Sequence, residues 1–206
     1  MYLRKFSVYL LAAALCLPLL SCGSEPPPKL TAESYSELMT IQKLPPAYVP
    51  GGSWTEADIP GALWLGASRF SFPATYSTLS SKFSVDPEAS DTVINPDKTI
   101  SASLYYDGCA CGTITLYDCS SESEITSGKI RKIKIFDMGR TDLPAPALFP
   151  VTFNGITIGS TAEQFKDNLG IELTASGAEI STSQHTIQFS GSPAEGVTAI
   201  TLISKL

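Results

Sequence analysis

The sequence predicts an α+β protein in which short helices pack on antiparallel sheet. Several runs of residues alternate between apolar and polar side chains, which is the period of a strand with one buried face. Residues 161–169 instead place apolar side chains three or four positions apart, the spacing of one face of a helix. The apolar spacing of the first half also returns in the second half. We therefore expect two related units, each a short helix packed on an antiparallel sheet.

The internal repeat is one of spacing rather than of identity. Five apolar positions recur 86 residues later: Phe70, Phe72, Tyr76, Leu79 and Phe83 correspond to Ile156, Ile158, Ala162, Phe165 and Leu169. Three more recur at an offset of 67: Ile130, Ile133 and Ile135 correspond to Val197, Ile200 and Leu202. In both copies a short strand should lead into a helix, and alternating strands should follow it.

The second-copy helix carries clear start and stop signals. The run from Ser160 to Glu163 has the pattern of a capping box, in which side chains at the helix start bind free backbone N–H groups. Gly170 lies where a left-handed C-terminal cap belongs. These signals predict a helix over residues 161–169.

Six strands and two tight turns follow from the alternation and the turn residues. The predicted strands are residues 99–106, 112–118 and 129–136 in the first copy, and 179–183, 185–190 and 197–204 in the second. Asp107-Gly108 and Asn154-Gly155 are pairs that favour tight hairpin turns.

The N-terminus has the organisation of an export signal. Arg4 and Lys5 precede an apolar run over residues 6–20, and Ser21 precedes Cys22. The run is shorter than the roughly 20 residues that a membrane-spanning helix needs, which argues against an uncleaved helix; a plain secretory signal is the other alternative. Leu19-Leu20-Ser21-Cys22 resembles the lipobox of bacterial lipoproteins. The resemblance implies cleavage before Cys22 and a lipid anchor on that cysteine.

The predicted domain organisation follows the leader. Residues 1–21 form the signal peptide, and residues 22–60 form a proline-rich tether with a short helix over residues 32–43. Residues 61–140 form the first unit, residues 141–150 a proline-rich connector, and residues 151–206 the second unit.

Charge and cysteine content narrow the function classes. Removal of residues 1–21 from the 206 leaves 185 residues with 12 basic and 20 acidic side chains, a formal charge of −8. Such an acidic chain is a poor nucleic-acid binder. Cys109, Cys111 and Cys119 are an odd number for a secreted protein, and the predicted strand between Cys111 and Cys119 would keep those two apart. We expect thiols in a loop rather than a metal site, because the spacing of Cys109 and Cys111 is narrower than zinc sites use.

No catalytic motif is present in the sequence. His185 is the single histidine, no nucleophile elbow accompanies it, and we interpret it as an ordinary exposed or hydrogen-bonded strand residue. The sequence has neither a phosphate-binding loop nor a dinucleotide fingerprint. We expect no enzymatic activity, no catalytic residue and no cofactor beyond the lipid on Cys22.

Four residues are candidates for binding. Lys132 and Lys134 lie in a lysine-rich strand and suit an acidic partner, although protection of an edge strand is the alternative explanation. Tyr105 and Tyr117 have the amphipathic rings that are favoured at interfaces. Trp54 and Trp64, with the tyrosines, are candidates for a surface that stacks on sugars or docks a protein, although packing in the core and stabilisation of hairpins are the alternative explanation.

One stretch resembles a known family. The run from Gly155 to Thr161, with Phe165, Leu169 and Gly170 after it, looks like the repeat of small bacterial lipoproteins of the SmpA/OmlA and β-lactamase-inhibitor-protein-like group. The resemblance implies helices packed on one face of an antiparallel sheet, and protein binding rather than catalysis. This chain departs from the group in lacking a clear second helix after Gly170.

These observations together predict a lipoprotein of the bacterial cell envelope. We expect it to be anchored to the outer or the cytoplasmic membrane, with its body outside the cytoplasm and its sheet face bound to a protein partner. The alternative is a surface lipoprotein that binds glycans, and a hydrolase is a distant third.

Overall fold

The computed structural model describes residues 47–50, 53–85, 93–94, 99–119, 125, 127–136 and 150–205. The predicted signal peptide, the predicted lipidation site at Cys22, the predicted helix over residues 32–43 and residues 141–149 of the predicted connector lie outside the described residues.

Strands are the main regular secondary structure of the described chain. The helical elements are α1 (Ile59–Ala62), a 3-10 turn (Tyr76–Thr78) and α2 (Ala162–Leu169). The strands are β1 (Leu63–Leu65), β2 (Ser68–Arg69), β3 (Phe83–Val85), β4 (Val93–Ile94), β5 (Ile100–Tyr106), β6 (Cys109–Tyr117), β7 (Lys129–Phe136), β8 (Val151–Phe153), β9 (Ala178–Ser181), β10 (His185–Ser192) and β11 (Gly196–Ser204).

The strands form two antiparallel sheets. The large sheet has the order β3-β5-β6-β7-β11-β10-β9, and β4 pairs with β5 beside β3. The small sheet has the order β2-β1-β8. The described chain is therefore α+β and mostly antiparallel sheet, which is the coarse fold class that the sequence predicts.

The six predicted strands are all present, with shifts at their ends. β7 has the predicted bounds, whereas β6 begins at Cys109, three residues before the predicted start. Both predicted tight turns are confirmed. Asp107 and Gly108 have φ angles of 49° and 78°, and Asn154 and Gly155 have φ angles of 48° and 80°. Positive φ at two successive residues is what the favoured two-residue hairpin turn requires.

Helix α2 is confirmed, with its capping box shifted by one residue. The side chain of Thr161, not Ser160, caps the helix: Thr161 Oγ1 accepts from Gln164 N at 3.2 Å, and Gln164 Oε1 accepts from Thr161 N at 2.9 Å. Ser160 is buried, and its hydroxyl oxygen instead accepts from Thr157 N at 3.0 Å. Gly170 ends the helix in the left-handed conformation, with φ at 69°.

The first copy has only a 3-10 turn where the spacing predicts a helix. Thr75 precedes that turn but makes no side-chain cap, and Thr78 lies where α2 has Gln164. The Thr78 hydroxyl donates to the Thr75 carbonyl at 2.6 Å. Hydroxyl side chains that bond to nearby backbone in this way compete with helix formation. The serines and threonines of this stretch thus stop the helix after one turn.

The core lies between the inner face of the large sheet, the small sheet and α2. Phe153 of β8, Phe165 of α2 and Phe189 of β10 are fully buried at its centre. The Phe189 ring centroid lies 6.0 Å from that of Phe153 and 4.9 Å from that of Phe165. One apolar cluster therefore joins all three layers.

The end of the predicted tether belongs to the folded body. Ile59 is fully buried, and the Trp54 ring packs on Phe153 with centroids 4.8 Å apart. Tyr48 Oη donates to Asp58 Oδ1 at 2.9 Å, which fixes the approach to α1. Trp54 and Ile59 pack on the body. The folded part therefore begins before residue 60, where the prolines of the sequence placed the end of the tether.

Candidate functional site

The side of the large sheet opposite the core, here called the outer face, carries all four candidate binding residues. On β7 the isoleucines at 130, 133 and 135 are buried, whereas Lys132 is exposed and Lys134 half-buried. On β5 and β6, Tyr105 and Tyr117 are half-buried and alternate with buried neighbours. The four residues therefore share one side of the sheet.

A bulge in β7 brings both lysines to this side. Leu116 of β6 pairs with Ile130 and Thr115 pairs with Lys132, so Arg131 is an extra residue without its own partner on β6. Beyond the bulge, strict alternation places Lys132 and Lys134 outward.

Small polar side chains surround the lysines in rows that cross the sheet. The register sets one row as Ser103, Thr113, Lys134, Thr201, Gln188 and Glu179. The next row is Ser101, Thr115, Lys132, Ile203, Thr186 and Ser181. Neighbouring strands lie about 4.8 Å apart, so each row sets mainly hydroxyl, amide and charged groups side by side, and Ile203 is the apolar member of the second row.

The positive charge of the outer face lies at its centre. Within the described part of the chain, no carboxylate lies within ion-pair distance of Lys132 or Lys134. Lys134 Nζ lies 5.3 Å from the centroid of the Phe136 ring, a cation–π contact. The acidic Glu179 is at the β9 edge, where Gln188 Nε2 donates to Glu179 Oε2 at 3.1 Å.

The interpretation of Lys132 and Lys134 as edge-strand protection is wrong. β7 is an interior strand of the large sheet, paired with β6 on one side and β11 on the other. Edge protection needs an unpaired backbone edge, and β7 presents none along the segment that carries the lysines.

The two tyrosines lie far apart on the outer face. Tyr105 pairs opposite Ala110, near the start of β6, whereas Tyr117 ends that strand. Seven residues of strand span roughly 23 Å. Lys129 Nζ lies 5.6 Å from the Tyr117 ring centroid and 2.8 Å from an Asp118 carboxylate oxygen. The tyrosines therefore flank the lysine centre rather than forming one aromatic patch with it.

The two tryptophans are held by the fold. Trp54 Nε1 donates to the carbonyl of Leu169 at 3.3 Å, at the end of α2. Trp54 also lines an open groove of about 580 Å³ between residues 49–50 and 53–54, the end of α2 and β9. Trp64 is half-buried on β1, and the Arg69 guanidinium lies 5.6 Å from its ring centroid. Both indoles are half-buried, and contacts within the fold hold each ring in place.

His185 is buried, contrary to the exposed alternative in the sequence interpretation. Its side chain is 1% exposed, and Nε2 accepts a hydrogen bond from the backbone N–H of Phe72 at 2.8 Å. On the other side of the ring, Nδ1 lies against Glu56 Oε1. Burial lowers the pKa of His185, and the Glu56 carboxylate opposes that shift in part. His185 thus joins two distant segments of chain to the start of β10.

Glu56 is a central residue of this cluster that the sequence analysis did not identify. Its Oε2 accepts from Thr182 Oγ1 at 2.6 Å, from Gln184 N at 2.9 Å and from Ser183 Oγ at 3.3 Å. Burial raises the pKa of Glu56, but the hydrogen bonds from Thr182 and Gln184 outweigh burial, and the pKa lies below its usual value. The sequence offers no signal for this pairing, because Glu56 lies in a proline-rich stretch far from His185.

Cys111 and Cys119 are part of the core rather than of a surface site. Cys111 lies near the start of β6, Cys119 follows the end of that strand by two residues, and both side chains are buried. Cys111 Sγ lies 3.4 Å from the Leu104 carbonyl oxygen. In the described residues, no three His, Cys, Asp or Glu side chains form a group that would hold a metal ion.

Comparison of the chain with protein-family models, with curated proteins and with solved structures found no significant match. Over the residues described, no helix is long and apolar enough to cross a membrane.

Proposed function

We propose that this chain is a lipid-anchored protein of the bacterial cell envelope that binds an acidic protein partner on its outer face. Lys132 and Lys134 at the centre of that face carry the proposal, because no described carboxylate neutralises them. The chain without its leader has a formal charge of −8. A pair of cations that no described carboxylate neutralises, in such an acidic protein, favours an acidic partner over non-specific attraction.

The chemistry around the lysines suits a protein surface. Thr113, Thr115 and Ser103 place hydroxyls beside the ammonium groups, and hydroxyls both donate and accept hydrogen bonds. Tyr105 and Tyr117 add amphipathic rings at the two ends, as is common in protein interfaces.

The proposed architecture is a pair of related units, and three features of the pairing support it. Arg131 is the extra residue of the bulge in β7. A second register shift, between β10 and β11, leaves Thr198 as the extra residue in β11. Thr198 lies 67 positions after Arg131, which is the offset that relates the apolar residues of the two strands. The bulge and the apolar pattern are thus repeated together.

The second feature is a hydrogen bond made in both halves. Ile130 N donates to the Ala74 carbonyl at 2.8 Å, and Val197 N donates to the Ser160 carbonyl at 2.9 Å. The residue numbers of the two donors differ by 67 and those of the two acceptors by 86, which are the two offsets of the repeat in the sequence.

The third feature is the way in which the halves pair. Ile133 pairs with Leu202 and Ile135 with Ile200, so the two strands are related about the pair Lys134–Thr201. β1 and β8 pair in the same two-fold manner about Leu65 and Val151, whose residue numbers differ by the offset of 86. Such pairing supports an internal duplication, which is also what the resemblance to the β-lactamase-inhibitor-protein-like group implies.

The lipid anchor predicts a specific effect of Cys22→Ala. Without the thiol no diacylglycerol can be attached, and two or more acyl chains are what make the membrane retention of such proteins stable. We expect Cys22→Ala to move the protein from the membrane fraction to the soluble fraction, or to leave its leader uncleaved. Cys16→Ala, in the apolar run of the leader, is the matched control and should remain in the membrane fraction. An unmodified thiol at Cys22 by mass spectrometry of the native protein would contradict the proposal.

The binding face predicts a specific effect of charge reversal. We expect Lys132→Glu combined with Lys134→Glu to weaken capture of a stoichiometric partner from detergent-solubilised envelopes by tenfold or more, about 1.4 kcal/mol. Capture by the wild-type protein should fall as salt is raised. Lys166→Glu, on the exposed side of α2, is the matched control and should capture normally.

The outcomes of that experiment separate the alternatives. Equal capture by the charge-reversed and wild-type proteins would remove the outer face as the site. Glycan binding that is lost in Trp54→Ala and kept in the charge-reversed protein would favour the glycan-binding alternative. Turnover of a substrate that is lost in His185→Ala would favour a hydrolase.

A further inference from the structure

The proton positions on His185 follow from its two neighbours. Nε2 accepts the Phe72 N–H, so Nε2 carries no proton. Nδ1 faces a carboxylate oxygen of Glu56, so Nδ1 is the protonated nitrogen. A second proton can therefore bind only at Nε2, where it would point at the N–H of Phe72. Two donors facing each other at hydrogen-bond distance repel, so protonation must break this bond.

We propose that His185 is a proton-operated latch, which holds residues 70–74 on the body at neutral pH and releases them on acidification. Phe72 packs on the imidazole with centroids 5.4 Å apart and on Phe70 with centroids 5.1 Å apart. The same segment ends at Ala74, whose carbonyl accepts from Ile130 N at the start of β7. The latch therefore controls a segment that connects the small sheet to the lysine-bearing strand.

Glu56 keeps its place when His185 is charged. The imidazolium would attract the Glu56 carboxylate more strongly, while three donors of the β9–β10 turn continue to bind the other carboxylate oxygen. Residues 53–58 therefore stay on the β9–β10 turn, and the change is confined to the Phe72 side of the ring.

Two charged groups face the latch from the elements packed around it. Glu56 comes from the segment before α1, and Lys205 follows β11 and donates through Nζ to the Thr182 carbonyl at 2.6 Å. Residues 70–74 contain no ionisable side chain. Burial of the ring disfavours the charged imidazole and is the larger effect, whereas Glu56 favours the charged form.

The effects of burial and of Glu56 on the pKa of His185 decide whether acidification opens or closes the latch. Burial lowers the pKa of His185 below its usual value of 6.5. Below that value the unfolded or locally opened chain binds more protons than the closed one, so acidification favours opening. The latch is fully closed above the usual histidine pKa, and its hold weakens as the pH falls below it.

The single histidine makes the test direct, because every histidine signal in the full-length protein belongs to His185. The lipidated chain, purified without a histidine tag in detergent, is titrated by NMR of the imidazole. Amide hydrogen exchange is followed at about pH 7.5 and about pH 5.0 and corrected for the intrinsic rate. We expect protection of Phe72 to fall by about tenfold at the lower pH, as loss of one buried hydrogen bond implies, while β6 and β10 stay protected.

Two variants complete the test. His185→Gln can still offer an oxygen acceptor to Phe72 N–H but cannot be protonated, so protection at Phe72 should no longer depend on pH. Glu56→Gln removes the charge that favours imidazolium, so the midpoint of the His185 titration should move to lower pH. Equal loss of protection in His185→Gln would overturn the latch. So would an imidazole that titrates without any change at Phe72, or a loss of protection spread over all strands.

Discussion

At the residue scale, the extra residue in β7 decides which side chains reach the outer face. The isoleucines at 130 and 133 are three positions apart, which breaks the two-residue period of a regular strand. In an unbulged strand, either Ile130 would face solvent, or Ile133 and Ile135 would face solvent and Lys132 would face the core. The bulge at Arg131 removes this conflict and keeps all three isoleucines of β7 buried. The candidate site thus depends on an irregularity of the backbone.

The same irregularity shows what the sequence alone can predict about the site. The alternation near Ile133 and Ile135 is enough to place Lys132 and Lys134 on one side, and the structure places them there. Sequence reasoning could not decide whether β7 lies at an edge or in the interior. That question depends on which strands pair with β7, and β11 is more than sixty residues away in the chain.

His185 marks the other limit of sequence reasoning. A histidine among serine, threonine and glutamine reads as a surface strand residue, and its hydrogen bonding was anticipated but its burial was not. The groups that bury and bind it are Glu56 and Phe72, which precede β3. No local pattern links such distant positions, so the latch becomes visible only once the fold brings them together.

At the scale of the element, the second helix forms because its first turn is capped. Thr161 and Gln164 satisfy each other's backbone N–H groups, and Gly170 takes the left-handed conformation that ends the helix. The equivalent stretch of the first half has hydroxyl residues in place of the cap and stops after a 3-10 turn. The helix periodicity was present in both copies, so capping decided the outcome.

This contrast predicts the cost of losing the cap. Thr161→Ala removes the oxygen that accepts from Gln164 N, and loss of such a cap lowers the free energy of unfolding by about 1 kcal/mol. Urea unfolding followed by far-UV circular dichroism measures the change. Thr161→Ser keeps the acceptor oxygen and should unfold near the wild-type midpoint. If Thr161→Ala also unfolds there, the cap contributes nothing and another contact holds the helix start.

The strands were more predictable than the way they associate. Apolar alternation and the Asp-Gly and Asn-Gly turns are local signals, and they gave every long strand of the large sheet. The small sheet was missed as a separate sheet. Its strands β1 and β2 have only three and two residues, too few for a period to appear in the sequence.

At the scale of the whole molecule, the two halves of the chain share both sheets. β7 pairs with β11 in the large sheet, and β1 pairs with β8 in the small one. Ile133, Ile135, Ile200 and Leu202 are buried along the first of these seams. Neither half can cover its own apolar face without the other, because the core layer between the sheets is built from both.

This shared core predicts that the body unfolds in one step. Trp54 and Trp64 belong to the first half, and the Trp54 ring contacts Phe153 of the second, so tryptophan fluorescence reports on the junction between halves. In urea, fluorescence and far-UV circular dichroism should give coincident transitions.

Leu202→Ala, which opens a cavity in the β7–β11 seam, should shift both midpoints together and lower the free energy of unfolding by about 2–5 kcal/mol. Thr198→Ala, at the exposed bulge residue of the same strand, is the control and should shift neither by a comparable amount. Two separate transitions would mean that each half folds alone, and the seam would then be a docking contact rather than part of a common core.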